Sequence, residues 1–443
     1  MATSIAGSGI DLGKLIDETP VSRFQIGVIA LCALGAFLDG YDIQAIGLAA
    51  PSLSNDLDIP AASLGPAFAS ALVGMAIGSV ALGPLADRFG RRPMMIALML
   101  LIGTTSLGTA TAVNIWELVS WRFLTGLGLG ALVPVATSLT AEYAPRHRRT
   151  ALITLMVCCI SLGSLTSSIL APAIDSHFGW RGIFVVGGVL PIVMALIYWV
   201  FLPESLRRLV ERNPADPRIA LQLGRIVGGQ IADIRVAAQP ATGRSSFAQL
   251  YSRTYMPRTL LLWAIWSLNL FVNFSLANWL PTLLKSSGWN HADALRAVAL
   301  MAIGGLMGGI LLSWLADKAR IVAPLITAYL VASAALIGFT LLPSSYWGYL
   351  IVIAGFGAFG AQLTIGALAA AFYPFEIRAT GLGWASGVGR LGSIVGPLAL
   401  GVMLGRGLGP ATVLTILTVP MFICAACVTL LPRFLEAARQ QQS

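Results

Sequence analysis

Four ionisable side chains stand inside long apolar stretches of this chain: Asp39 and Asp42 in one, Arg122 in a second and Arg390 in a third. A charge in the middle of an apolar span costs roughly 2.5–3.5 kcal/mol or more, so each is a candidate for function. Asp39-Gly40-Tyr41-Asp42 sets two carboxylates three residues apart, neighbours on one helix face. Two carboxylates that close resist joint ionisation, so such a pair suits the carriage of a proton. The competing reading makes them structural partners of Arg122 or Arg390, and both readings can hold together. Arg390 lies among glycines in Gly387-Val388-Gly389-Arg390-Leu391-Gly392. Its planar guanidinium matches a carboxylate bidentately, which makes it the first choice for anchoring an anion. Arg122 is the second choice, because it lies nearer the outer end of its stretch and can pair with Asp39 or Asp42.

The elements that must hold these residues are membrane helices. The 443 residues are 57% hydrophobic and only 11% charged, with a mean hydropathy of +0.82. Soluble domains carry roughly a quarter charged residues, so this chain cannot cover a water-facing surface. Stretches near the about 20 residues that a spanning helix needs occur at 25–50, 62–86, 94–113, 116–141, 149–174, 181–202, 258–284, 294–316, 321–342, 346–372, 379–404 and 410–431. The expected architecture is an all-α membrane protein of twelve transmembrane helices in two six-helix pseudo-repeats. Its parts are an N-terminal tail (1–24), a first half (25–202), a central polar linker (203–257), a second half (258–431) and a C-terminal tail (432–443). Residues 1–23 contain no cleavable signal pattern.

Basic residues set the direction of insertion. The even-numbered gaps hold Arg88, Arg91 and Arg92, then Arg146, Arg148 and Arg149, the arginine-rich linker, Lys318 and Arg320, and Arg378. The odd-numbered gaps hold only Arg181, Lys285, Arg296 and Arg406. Both tails and the linker are therefore expected in the cytoplasm. This placement accounts for the net charge of +9 without a nucleic-acid partner.

The two halves echo each other. Leu85-Ala86-Asp87-Arg88 follows span two and Leu315-Ala316-Asp317-Lys318 follows span eight; Tyr143…Arg148-x-Thr150 closes span four and Tyr373…Arg378-x-Thr380 closes span ten. Parallel six-helix repeats of this kind point to a carrier whose site lies between the halves. The loop Gly83-Pro84-Leu85-Ala86-Asp87-Arg88-Phe89-Gly90-Arg91-Arg92 reads as a cytoplasmic gate. In it Asp87 would accept from the N-terminal end of span eleven and Arg88 would pair with Glu142, with Asp317 as the counterpart in the second half. Asn269 and Asn273 recur at helical spacing in span seven, a polar stripe facing water or substrate. Gln362 and Trp384 could complete a slot for a flat ring, Tyr41 belongs to the same substrate-binding set, and Trp279 suits either that set or the aromatic belt at the outer interface.

The five cysteines all fall in apolar stretches and read as packing. His147, His177 and His291 lie in loops without a metal-ligand neighbour in sequence, so no metal and no cofactor are expected. No nucleophile–base pair is placed for catalysis, and an enzyme is not expected.

The gate loop resembles the signature loop of the major facilitator superfamily. Together with Asp39-Gly40-Tyr41-Asp42, Asn278-Trp279-Leu280-Pro281 and the run from Tyr373 to Pro397, it is similar to that superfamily's aromatic acid:proton symporters. The resemblance covers nearly the whole chain. It implies bacterial inner-membrane uptake of a benzoate-like or hydroxybenzoate-like anion with protons; a monomer in the lipid bilayer is expected, because the fold needs no partner to form its pathway. It also carries over Asp39 and Asp42 as transport-essential acids and Arg390 as a transport-essential base. The second signature loop departs from the family pattern at Ser313, where glycine usually stands. The rivals are a symporter of a non-aromatic organic acid, a drug–proton antiporter, and a carrier that doubles as a chemosensor.

Overall fold

A computed structural model of the protein describes residues 15–17, 19–213, 216–227, 250, 252, 255–318, 321–372 and 375–440. The side chains of 84, 87, 146, 150, 211, 316–318, 367, 369–372, 375–380 and 433–440 lie outside it. The expectations for Asp87, Asp317 and the Tyr373–Thr380 segment therefore fall outside the described residues.

Eleven helices among the described residues are long and apolar enough to cross a membrane, and one of them makes two passes. That helix runs over Arg146–Phe201 and is broken at Gly179, whose φ of 64° is a left-handed conformation that glycine adopts freely. The break divides it into spans five and six, giving twelve passes in two six-helix halves. The others are span one (Arg23–Asp56), two (Ala61–Ala81), three (Arg91–Ala110), four (Ile115–Tyr143), seven (Met256–Ser286), eight (His291–Lys318), nine (Val322–Leu341), ten (Trp347–Phe372), eleven (Phe375–Gly405) and twelve, which forms as Pro410–Ile416 followed by Thr418–Gln440. Span one begins where Ser22 and Gln25 cap each other reciprocally, satisfying two backbone N–H groups that the first turn leaves open.

Small residues let these helices touch backbone to backbone. A Cβ added at Gly40 would stand 1.9 Å from the carbonyl of Ile160, and one at Gly163 would stand 1.9 Å from that of Phe37, so spans one and five cross at glycines. Span one meets span seven of the other half at Gly47, where a Cβ would come within 2.7 Å of the Ala277 carbonyl.

The apolar packing is uneven along the molecule. One cluster joins the two halves at the face away from the chain ends, with Leu48, Leu53 and Phe68 of the first half against Leu276, Trp279 and Leu280 of the second. A second cluster lies within the first half on the side of the chain ends. It takes in Leu206, Leu209, Ile219 and Leu223 from two helices of the linker, Leu206–Arg212 and Pro217–Val227. Part of the polar linker is thus folded against the first half: Tyr143 donates to Gln222 Oε1 at 3.0 Å, and Gln25 donates to the Tyr143 carbonyl at 2.8 Å.

Candidate functional site

The two aspartates of span one part company. Asp42 turns into the first half, where Arg122 of span four donates Nη1 to its Oδ2 at 2.8 Å and Nη2 to its carbonyl at 3.3 Å. Ser106 of span three donates to its Oδ1 at 3.3 Å. Both ionic side chains are about 1% exposed, and the guanidinium also lies over the Phe184 ring, 5.6 Å from its centroid. Tyr41 packs into the same half and donates to the Ile183 carbonyl at 3.1 Å. Asp42, Arg122 and Tyr41 are therefore all bonded within the first half. Arg122 and Tyr41, expected in the substrate-binding set, make these bonds within the first half, while Arg122 Nε is buried without a hydrogen-bond partner.

Asp39, one turn back along span one, has no such lock. Its Oδ1 is buried without a hydrogen-bond partner. Its carboxyl lies within electrostatic range of Asp42 and of Arg390 of the opposite half. An unpartnered carboxylate oxygen buried at mid-helix is expensive. Bringing it near a guanidinium of the other half ties its state to how the halves are arranged.

A cavity of about 220 Å³ lies between the halves, with neither Asp39 nor Arg390 among its lining residues. Sites for drug-sized ligands run about 300–1,000 Å³, so its scale suits a single-ring solute. Ile43, Ile160, Leu270, Phe274 and Phe359 give it apolar walls, and Gln44, Ser161, Ser164, Asn273 and Gln362 add the polar points. Gln44 donates to the Ala277 carbonyl at 2.8 Å across the two halves. Asn273 is oriented by its neighbours: its Nδ2 donates to Asn269 Oδ1 at 2.7 Å, to Asn269 O at 2.9 Å and to Ala358 O at 3.2 Å. Those acceptors fix which end of the amide is nitrogen.

Other expected cavity residues lie elsewhere. Asn269 is fully buried behind Asn273, donating to the Ala358 carbonyl at 3.3 Å. Trp279 is neither a cavity wall nor a belt residue. It is 0% exposed, donates to the Pro397 carbonyl at 3.0 Å and meets the Phe68 ring edge-on at 4.9 Å. Trp384 stacks on Trp263 with centroids 6.4 Å apart and is 44% exposed, away from the cavity walls. Both rings are used for helix packing, which a sequence cannot tell from ring recognition.

On the side of the chain ends, the gate loop folds around Gly90, whose φ of 107° turns the chain from a short helix (Gly83–Phe89) into span three. The expected partner of Glu142 changes: Arg91, not Arg88, makes the ion pair. The turn at Gly90 directs Arg91 toward span four, whereas Arg88 stays exposed over the Phe89 ring. Glu204, at the start of the linker, accepts from the backbone N–H groups of Arg91 at 3.0 Å and Arg92 at 3.2 Å, capping span three as a carboxylate at a helix N-terminus should. Ser205 donates to Glu142. Arg92 donates to the Trp199 carbonyl. Sequence reasoning missed Glu204 and Ser205, although their position at the end of span six offered a signal.

At the opposite face the halves are joined by hydrogen bonds. His291 Nε2, at the start of span eight, lies 2.6 Å from Asp175 Oδ2 at the end of span five, and Ser52 of span one donates to the same oxygen at 2.7 Å. Lys285 donates to the Pro51 carbonyl at 3.3 Å. Among the described residues no group of three or more His, Cys, Asp or Glu side chains is placed to hold a metal ion.

Twelve spans in two halves, with a small cavity between them and ionic groups buried at mid-depth, define a membrane transporter rather than an enzyme. The chain belongs to the Major Facilitator Superfamily, whose family model matches residues 32–397. It is 39% identical to the 4-hydroxybenzoate transporter PcaK of Pseudomonas putida, over 95% of both chains. It is 36% identical to a gallate transporter of the same organism, over 95% of this chain and 94% of that one. In fold it is similar to a bacterial homologue of the human lysosomal transporter Spinster in an inward-facing, occupied conformation, with a TM-score of 0.75, 18% identity and coverage of 95% and 99%.

Proposed function

We propose that this protein takes up an aromatic carboxylate, such as a benzoate or hydroxybenzoate, together with protons across the bacterial inner membrane by alternating access. The observation that carries the proposal is the division of labour between the two aspartates: Asp42 is held by Arg122, while Asp39 keeps an unpartnered oxygen within electrostatic range of Arg390 of the other half. Arg390 anchors the substrate carboxylate and Asp39 takes the proton. When the anion arrives at Arg390, Asp39 loses its counter-charge and is more readily protonated, so the two cargoes favour one another. The ring lies in the cavity, with Asn273 and Gln362 at its polar edge. The aromatic reading is supported by relatives whose names specify 4-hydroxybenzoate and gallate.

The energetics favour coupling. A monoanion moving inward against the membrane potential is opposed by about 2.3 kcal/mol per 100 mV. One accompanying proton cancels that opposition and leaves the pH gradient as the drive. The distribution of basic residues supports a cytoplasmic location for both tails, the gate loop and the linker, which makes the face bearing His291 and Asp175 the outer one. The protein works as a monomer within the bilayer.

The test is uptake of labelled 4-hydroxybenzoate and benzoate in cells lacking their own carriers. Wild type should accumulate at least one of them, a protonophore should abolish accumulation, and Asp39→Asn and Arg390→Ala should fail at normal membrane levels. Entry of a dicarboxylate instead, or export, would replace the aromatic reading with one of its rivals.

A further inference from the structure

The outer face carries a polar cluster that the transport pathway described above does not use. Asp175 and Ser52 belong to the first half and His291 to the second, and they converge on a single oxygen, Asp175 Oδ2. Ser52 Oγ also lies 3.2 Å from His291 Nε2, closing a three-membered ring of contacts. The Asp175 side chain is 7% exposed and that of His291 32% exposed. Asp175 Oδ1 and His291 Nδ1 are buried without hydrogen-bond partners. Beside the cluster, Lys285 of the second half reaches back to the Pro51 carbonyl of the first and lies within electrostatic range of Asp175. Every one of these contacts crosses between the halves or, like that of Ser52 with Asp175, braces one that does.

We propose that Asp175, braced by Ser52, and His291 form a latch that holds the outer mouth shut in this state and must break each time the transporter opens outward. The inference rests on the proposed orientation of the chain, because it assigns this face to the outside. The chemistry explains why these residue types are used. Apolar packing joins the halves along the same face, and packing alone gives a closure that is strong but weakly directional. A carboxylate that accepts from two donors adds a contact that is lost abruptly once the halves separate by more than hydrogen-bonding distance. The open mouth then hydrates all three groups, which limits the cost of release. Asp175 and His291 are gating residues that act through the position of the halves, not groups that touch substrate.

The test reads the mouth directly and needs no substrate. Spin labels on Thr111→Cys and Ser344→Cys, two exposed sites on opposite halves at this face, report its width. The five native cysteines are first replaced in a background shown still to transport labelled 4-hydroxybenzoate. The unmodified latch should give mainly short distances. Asp175→Asn and His291→Ala should each move the closed-to-open ratio toward open by roughly 10- to 100-fold, the size expected for losing a hydrogen bond to a charged group. Ser52→Ala should move it less. The exchange Asp175→His with His291→Asp should restore the short distances, which a merely structural role would not predict; Asp175→Glu supplies the conservative variant if the exchanged protein does not fold. Unchanged distances in both single variants, or a mouth already open with the latch intact, would overturn the latch. If distances respond while no aromatic acid is transported, the function proposed above fails and the latch stands; if transport holds and distances do not respond, only the latch fails.

Discussion

Removing one member of the Asp42–Arg122 pair tests whether the two aspartates of span one have separate jobs. Asp42→Asn leaves the Arg122 guanidinium facing an amide in a site where both side chains are about 1% exposed. Breaking a buried pair in this way costs about 3–5 kcal/mol, because an uncompensated charge remains behind. At 1.4 kcal/mol per tenfold, that is a loss of roughly two to three and a half orders of magnitude in the folded-to-unfolded ratio. Arg122→Gln should cost a similar amount for the reciprocal reason. The double variant strands no charge and should recover most of the loss, so the two effects should be far from additive. Asp39→Asn removes a carboxyl whose Oδ1 has no partner, and stability should change by no more than about 1 kcal/mol. The assay is unfolding of the purified proteins in mixed micelles, read as a double-mutant cycle, beside uptake of labelled 4-hydroxybenzoate. Additive losses, or an Asp42→Asn protein as stable as wild type, would refute the structural role given to Asp42.

Three more expectations follow from particular contacts. Gly40→Val and Gly163→Leu put side chains where even a Cβ would stand 1.9 Å from a carbonyl oxygen; each should lower folded yield, with a cost of at least the about 1–3 kcal/mol of an overpacked core, measured by size-exclusion profiles of detergent extracts. Arg91→Ala removes the ion pair with Glu142 and should slow uptake more than Arg88→Ala, a comparison made from initial rates at matched membrane levels. Asn273→Ala should raise the KM for the transported acid while leaving Tm within a few degrees, whereas Asn269→Ala, which removes a fully buried amide that positions Asn273, should lower both affinity and Tm.

Much of the fold was legible because a spanning helix needs an apolar run of fixed length, and hydropathy reads that run without tertiary context. Spans five and six illustrate how well this works: the expected boundary between 174 and 181 contains the break at Gly179. The buried charges were legible for the same reason, and the sequence offered the Arg122–Asp42 pairing as one of two readings. It could not choose, because a spacing of three residues says that two carboxylates are neighbours and says nothing of what surrounds each. Trp279 and Trp384 show the same limit for aromatic side chains, since a ring that packs a helix crossing looks like one that grips a substrate. Arg91 displaced Arg88 at Glu142 because the chain direction is set by the backbone at Gly90, a conformation that sequence spacing does not encode. Asp175 and His291 are 116 residues apart, so their meeting depends wholly on how the halves pack.

The central claim is that Asp39 carries the proton that moves with the substrate. It is tested most directly by purified protein in liposomes with a trapped pH dye, challenged with external 4-hydroxybenzoate and corrected for the leak of protein-free liposomes. Wild type should acidify the interior as substrate enters. Asp39→Asn should give no proton flux while still exchanging labelled for unlabelled substrate, because Arg390 and the cavity remain. Proton flux that persists in Asp39→Asn and disappears only in Asp42→Asn would contradict the account and move the coupling role to Asp42.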